Sequence, residues 1–254
     1  EVHLLPAPVF RITAEIQARR RLGLTATLVR EDGRQGEVFS LIGPKVYETP
    51  WRELEGAGWL AVVHCREVRV QLAPGERLAY LGAESGHDQS RLAAENPAKL
   101  EVVRRLVAQH PGDRILVIGR YLSQLRSIAQ ALAAPLITGQ TPVARREDLF
   151  ESFRRGTAPL LVVSNVANFA LDLPEANVAI QVSGTYGSRQ EEAQRLGRLL
   201  RPKADGRPAH FYTLVSQGTL DQDHAARRQR FLVEQGYQYN IMPAEEIAGS
   251  RSAV

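Results

Sequence analysis

The sequence predicts an α/β fold: a parallel sheet with helices on both faces, preceded by a stretch too poor in strands to close a core of its own. Three continuous apolar runs, Ile115 to Ile118, Leu160 to Val163 and Val178 to Val182, point to it, because a strand covered on both faces has no polar side to alternate with. These runs alternate with helical stretches, and strand–helix–strand order makes neighbouring strands parallel through crossover helices. Proline and glycine punctuate the helical stretches, with Pro97 and Pro142 near starts and Gly156 and Gly236 at stops.

Along the chain, Pro6 to Arg21 reads as a helix, Leu22 to Ala26 as a short strand and Arg30 to Gly36 as a polar loop. Trp51 to Gly58 reads as a short helix closed by glycine. Val62 to Leu72, β-branched and alternating, reads as a strand that Pro74-Gly75 breaks. Pro97 to Gln109 is helical, with Asn96 placed to accept hydrogen bonds from the free amides of its first turn. Tyr121 to Ala133 follows as a helix, Leu136-Ile137 as a short strand, and Thr141-Pro142 opens a helix ending at Gly156. Arg189 to Leu200 is helical, His210 to Leu214 is a strand, and Leu220 to Gln235 is a helix that Gly236 stops. Ligands of such sheets gather at the carboxyl ends of the strands. The functional loops are therefore expected after Ile118, Val163 and Val182. A domain boundary is expected between residues 58 and 66, giving units 1–62 and 63–254.

The 254 residues, 44% hydrophobic and 24% charged, suffice for one large or two small globular units and argue against global disorder. Cys65 stands alone, so no internal disulfide can form, which fits a reducing compartment. Its expected role is that of a small buried apolar group. No apolar run reaches the length of a membrane span, and Arg11, Glu15, Arg19, Arg20 and Arg21 interrupt any secretory signal. A cytoplasmic location follows as the expectation, nucleoid-associated in a prokaryote. The chain opens at Glu1 without methionine, as a truncated or processed product would. A net charge of +4 is compatible with nucleic acid, and the basic residues concentrate at Arg189, Arg195, Arg198, Arg201, Lys203 and Arg207.

The string that carries chemistry is Gln194-Arg195-Leu196-Gly197-Arg198-Leu199-Leu200-Arg201. On a helix, positions 194, 197, 198 and 201 share one face. Gly197 clears that face, and two guanidiniums project from it together. Planar bidentate donors of this kind suit the oxygens of a transferring γ-phosphoryl group. A basic surface helix is the plain alternative for Arg-x-x-Arg alone.

That string resembles motif VI of superfamily 2 helicases, and the resemblance extends over the whole chain. Glu1-Val2-His3 is similar to the end of a DEVH box, Thr25-Ala26-Thr27 to motif III, Ile115 to Arg120 to motif IV, and Val163 to Glu175 to motif V. Arg30-Glu31-Asp32 matches the RED motif that marks the XPB family. So do Ser188-Arg189 and the run from Arg228-Gln229-Arg230-Phe231-Leu232-Val233 to Gln235-Gly236-Tyr237. The chain is thus identified by resemblance as the end of a first RecA-like lobe (1–62) and a second lobe (63–254) of an XPB-like ATP-dependent DNA helicase or translocase. The family moves 3′ to 5′ and serves DNA repair or transcription.

The resemblance implies roles residue by residue. Glu1 would activate the attacking water, with Arg198 and Arg201 as the other catalytic groups. Gln194 and Asp172 would face the nucleotide, and Thr25 and Thr27 would couple its state to lobe closure. Arg30, Glu31, Asp32, Thr138, Gly139, Ser164 and Asn165 would contact DNA. ATP and Mg²⁺ would be cofactors of the intact parent. None is expected on these 254 residues alone, which contain no Gly-Lys-Thr phosphate loop. Ala170 stands where motif V usually has glycine, and the thumb-like insertion, within Ala79 to Asn96, is short. DNA, the rest of lobe 1 and a nuclease or a repair or transcription factor are the expected partners. Two other readings stay open. One is an ATPase that remodels duplex DNA without separating strands; the other is a non-catalytic module that docks a partner.

Overall fold

The computed structural model describes residues 2, 5–25, 33, 35–164, 176–184, 188, 192, 196–197, 201 and 206–249. The chain opens with α1 (Pro8–Arg11), a 3₁₀ turn (Ile12–Glu15), α2 (Gln35–Ile42) and α3 (Trp51–Gly56). Then come β1 (Val63–Val70), α4 (Pro74–Leu81), α5 (Gly86–Ala94), α6 (Ala98–Gln109), β2 (Ile115–Gly119), α7 (Leu122–Ala131), β3 (Leu136–Ile137), α8 (Val143–Arg155), β4 (Leu160–Ser164) and β5 (Val178–Gln181). β6 (Ala209–Ser216), α9 (Leu220–Glu234), β7 (Tyr239–Pro243) and α10 (Glu246–Gly249) complete it.

Seven strands form one sheet in the order β3-β4-β2-β5-β6-β1-β7, parallel at every pairing. The pleat divides its side chains between two cores. Cys65, Leu116, Ile118, Leu161, Val163, Ala179 and Phe211 point to one face, under Trp51 of α3, Phe150 and Phe153 of α8, and Leu232 of α9. Val68, Val117, Val162, Ile180 and Leu214 point to the other, under Val103 and Leu106 of α6 and Leu125 and Ile128 of α7. The apolar runs read from the sequence are the strands between these layers. This is the α/β parallel sheet the sequence predicts.

Local signals account for the element ends. Gly156 adopts φ +79 and closes α8, while the Thr157 amide donates to the Ser152 carbonyl at 3.0 Å. Gly236, at φ +87, ends α9 in the same way. Pro97 takes the N-cap position of α6, and Asn96 Oδ1 still accepts from the Ala98 amide at 3.1 Å. Ser85 caps α5 by accepting from the Asp88 amide at 3.1 Å. The segment broken at Pro74-Gly75 is a pair of helices, α4 and α5, where Pro74 occupies the first helical turn.

The front of the chain departs from expectation. The helix expected from Pro6 to Arg21 is only α1 and the 3₁₀ turn, and residues 22–25 are irregular where a strand is expected. Two observations explain it. Arg21 donates to the carbonyls of Ala14, at 2.6 Å, and Ile16, at 3.4 Å, so a side chain satisfies backbone groups that a longer helix would have used. Leu22 and Leu24 are exposed, and no described strand lies beside them. β-Propensity without a partner strand does not make a strand. No described helix is long and apolar enough to cross a membrane. Cys65 is buried, and that burial, with Glu192 and Glu55 nearby, pushes its thiol up to about 12.

Candidate functional site

The loops expected to act leave the same end of the sheet. β2 and β4 pair with Gly119 opposite Ser164, and β3 and β4 pair with Ile137 opposite Val163. Thr138 therefore lies one residue beyond that pairing, beside Ser164, so Gly119, Ser164 and Thr138 end three adjacent strands in one row. Thr138 is half-buried and Gly139 exposed. The Thr138 amide donates to Thr141 Oγ1 at 2.9 Å, and Thr138 Oγ1 accepts from the Gln140 amide at 3.2 Å. The two hydroxyls thus tie the turn that starts α8. Ser164 is 3% exposed, and its Oγ makes no hydrogen bond to a described group. A buried hydroxyl without a partner is costly unless something else satisfies it.

The next loop is held by residues that the sequence did not single out. Ser183, just after β5, accepts from the Arg120 amide at 2.9 Å and donates to Gln124 Oε1 at 3.0 Å. Gln124 Nε2 in turn donates to the Ala94 carbonyl at 2.8 Å. A Cβ on Gly119 would stand 2.8 Å from side-chain atoms of Leu125 and Val182, so the row closes up only because that position is glycine. The apolar run ending in glycine was the available sequence signal; nothing in sequence distinguishes Gln124 from any other polar helix residue.

Beneath Glu192 the sheet turns polar. Gln181, Thr213 and Glu67 stand in register on β5, β6 and β1, all buried. Glu192, Leu196 and Gly197 are helical, and Leu196 and Glu192 are buried. Glu192 accepts from Gln181 Nε2 at 2.9 Å and from the Tyr239 hydroxyl at 3.4 Å. Gln229 of α9 donates to Glu67 at 2.6 Å. Burial first, and then the Glu192 carboxylate, raises the Tyr239 phenol well above its ordinary value, so it stays a donor. One carboxylate from the segment and one amide from α9 thus seat both on the same polar row.

Among the expected site residues, the structure brings Thr138, Gly139 and Ser164 together. Arg201 is described singly and is exposed. Thr25 is half-buried, next to Leu24, whose carbonyl accepts from the Val2 amide at 3.2 Å. Glu1, Thr27, Arg30, Glu31, Asp32, Asn165, Asp172, Gln194 and Arg198 lie outside the described residues. For a nucleotide these residues offer strand ends and arginine. Among the described residues no group of three His, Cys, Asp or Glu side chains is placed to hold a metal ion.

A parallel sheet with motif-bearing loops at one end defines the class: a helicase lobe of RecA type. Solved structures agree on the fold. Saccharomyces cerevisiae Dbp5 bound to RNA and ADP BeF₃ superposes with a TM-score of 0.64 over 98% of this chain and 59% of that one, at 13% identity. The isolated C-terminal domain of the DEAD-box protein Dbp5 superposes at 0.56 over 74% of this chain and 96% of its own, at 11% identity. The family follows from sequence. The model of the ERCC3/RAD25/XPB C-terminal helicase matches residues 54–253, and this chain belongs to that family. A DNA 3'-5' helicase XPB of Kineococcus radiotolerans is 61% identical over 98% of this chain and 44% of its own length. That of Mycobacterium tuberculosis is 57% identical over 98% and 45%. A Saccharomyces cerevisiae relative, the general transcription and DNA repair factor IIH helicase/translocase subunit XPB/SSL2, is 40% identical over 95% and 29%. The chain therefore spans less than half the length of the curated relatives it matches.

Proposed function

We propose that these residues are the second motor lobe of an ATP-dependent DNA helicase or translocase that moves 3′ to 5′, with residues 1–62 belonging to the first lobe. The observation that carries the reading is 61% identity, across 98% of the chain, to a relative named DNA 3'-5' helicase XPB. In this reading Gln194, Arg198, Arg201 and Asp172 face the nucleotide, and Glu1 activates the attacking water. Thr25 and Thr27 couple the lobes. Thr138, Gly139, Ser164 and Asn165 hold the DNA backbone, with Arg30, Glu31 and Asp32 at the fork. Ser164 Oγ, buried at the end of β4 without a described partner, supports a contact to a phosphate oxygen. ATP and Mg²⁺ bind the intact parent. These residues alone, without a phosphate loop, hydrolyse no ATP. The names of the yeast and Drosophila melanogaster relatives support a role in transcription and DNA repair, with DNA and a multisubunit assembly as partners.

The test is made on the intact parent. Arg198→Ala and Arg201→Ala are expected to slow DNA-stimulated ATP hydrolysis by roughly 10³-fold or more while ATP binding changes little, since arginines at a transferring phosphoryl group act on the transition state. Near-normal kcat in both variants would remove the assignment. Strand displacement measured beside translocation separates a helicase from a duplex-remodelling ATPase.

A further inference from the structure

A line of four buried charges runs behind the arginine-bearing segment, and the proposed chemistry leaves it unused. Lys99 of α6, 0% exposed, donates to the Val182 carbonyl at 3.0 Å and to Asp221 Oδ2 at 2.9 Å. Asp221, in the first turn of α9, also accepts from the Ser216 amide at 3.1 Å. Its other oxygen lies 3.9 Å from Arg228 Nη2, two turns further along α9. Arg228 Nε then lies 3.7 Å from Glu192 Oε2. The signs alternate from α6, through α9, to the start of the arginine-bearing segment. Burial depresses Lys99 below its ordinary value. Burial would raise Asp221, but Lys99 and Arg228 outweigh it and hold the carboxyl below its ordinary value, so that end of the line stays charged.

Two features set Arg228 apart. Among the described residues its side chain is the largest that is fully buried, at 1% exposed, yet its Nε makes no close hydrogen bond to a described group. A buried ion pair seldom stabilises more than apolar packing of equal volume would. Fold stability alone therefore does not account for a guanidinium here. Second, the loop after β5 is shaped around it. A Cβ on Gly184 would stand 2.6 Å from Arg228 Cζ and 2.7 Å from Nε, and the backbone of Gly184 is not in the left-handed region, so this glycine supplies space and no special φ. Arg228 therefore touches the loop that leaves the active end of β5 and, at ion-pair distance, Glu192, which precedes the two arginines in the sequence.

We propose that Arg228 is a positioning residue for the arginine face: through Glu192 and Gly184 it sets where the segment bearing Arg198 and Arg201 sits relative to the loop after β5. This rests on the reading in which those arginines face the nucleotide. Six residues separate Arg198 from Glu192 in the sequence, and six residues of helix would span roughly 9 Å, so in this proposal a small rotation at Glu192 becomes a displacement at the guanidinium. A displacement of about 1 Å at a reacting group can cost on the order of 10²-fold in rate. Gln181 and Tyr239 hold Glu192 from the sheet side, and Arg228 meets it from α9.

The experiment uses the intact helicase. Removing Arg228 alone strands buried carboxylates and endangers the fold, so the main variant is Arg228→Met with Glu192→Gln, which removes one charge of each sign and keeps volume. It is expected to keep a Tm close to the parent's and a KM for ATP within about twofold, while DNA-stimulated kcat falls about tenfold. Arg228→Lys, which restores a cation but not the planar fork, recovers part of that loss. Gly184→Ala, which displaces the guanidinium and leaves every charge in place, lowers kcat in the same direction and decides the matter if the double variant fails to fold. Arg198→Ala is measured alongside. If it loses turnover while the folded double variant and Gly184→Ala keep theirs, Arg228 is only structural and the proposal falls alone. If Arg198→Ala turns over normally, the nucleotide-facing reading falls and takes the proposal with it. A kcat loss with KM unchanged in both variants supports the assignment.

Discussion

The first fifty residues and the sheet beyond them are both rich in apolar side chains, yet they end in opposite environments. Leu22 is 83% exposed, Val46 92% and Tyr47 84%, whereas Leu116, Ile118, Phe153 and Phe211 are fully buried. Composition is not the difference. Each apolar strand in the sheet has a parallel neighbour and a helix over each face; no described strand precedes β1. An apolar residue is buried only where a second surface is available to cover it. Trp51 marks where that surface begins. It packs edge-on to Tyr237, with ring centroids 6.4 Å apart, and joins the core under α8 and α9 although it precedes β1.

The largest consequence is kinetic. Amides in β2, β4 and β5 should exchange by global opening, and those before residue 50 by local opening that costs far less. Hydrogen exchange should separate the two by roughly 10³-fold or more, since global opening of a domain costs about 5–15 kcal/mol. Adding the remainder of the intact parent should slow the early amides and leave the strands unchanged. Equal protection of both stretches in the 254-residue chain alone would erase the contrast.

Mutation sharpens it next. Phe153→Ala, which empties a fully buried site between α8 and the sheet, should cost about 3–5 kcal/mol in denaturant unfolding. Tyr47→Ala should change stability by no more than about 0.5 kcal/mol in the same chain. A comparable cost at Tyr47 would mean that the early stretch carries packing of its own.

The smallest effect concerns the sheet's amino end. His210 faces His64 and Arg66 of β1, Tyr212 of its own strand, and His110 and Asp113 beyond α6. Burial first, then His110, Arg66 and His64, pull its pKa from 6.5 to about 4, against Asp113. The unfolded chain therefore binds a proton at this residue between those values and the folded chain does not. Stability contributed by neutral His210 is complete above pH 6.5 and is lost as pH falls toward 4. His210→Gln should flatten thermal stability across that window; an unchanged slope would assign the pH dependence elsewhere.

Much of this was legible in sequence for a physical reason. A strand covered on both faces must be apolar throughout, so Ile115 to Ile118, Leu160 to Val163 and Val178 to Val182 announced themselves, and glycine at 156 and 236 announced helix ends. Thr138 and Ser164 could be placed at strand ends because strand ends are where apolar runs stop. The helices α4 and α5 were hidden by Pro74-Gly75, which reads as a break although proline is well suited to a first helical turn. The strand read at Leu22 failed for the opposite reason: its local pattern was right, but no described strand lies beside it to complete it.

The sequence by itself determined the layered α/β class, the order of the strands along the chain and the family, because periodicity, punctuation and motif strings are local properties of the chain. Only the tertiary structure decided which polar residues matter. Lys99, Glu192 and the Asp221–Arg228 pair of α9 are far apart in sequence, and each charge reads alone as an ordinary solvated one. They become a buried line of alternating sign only when α6, α9 and the arginine-bearing segment close over one sheet end, where a charge has to find a partner because water no longer reaches it.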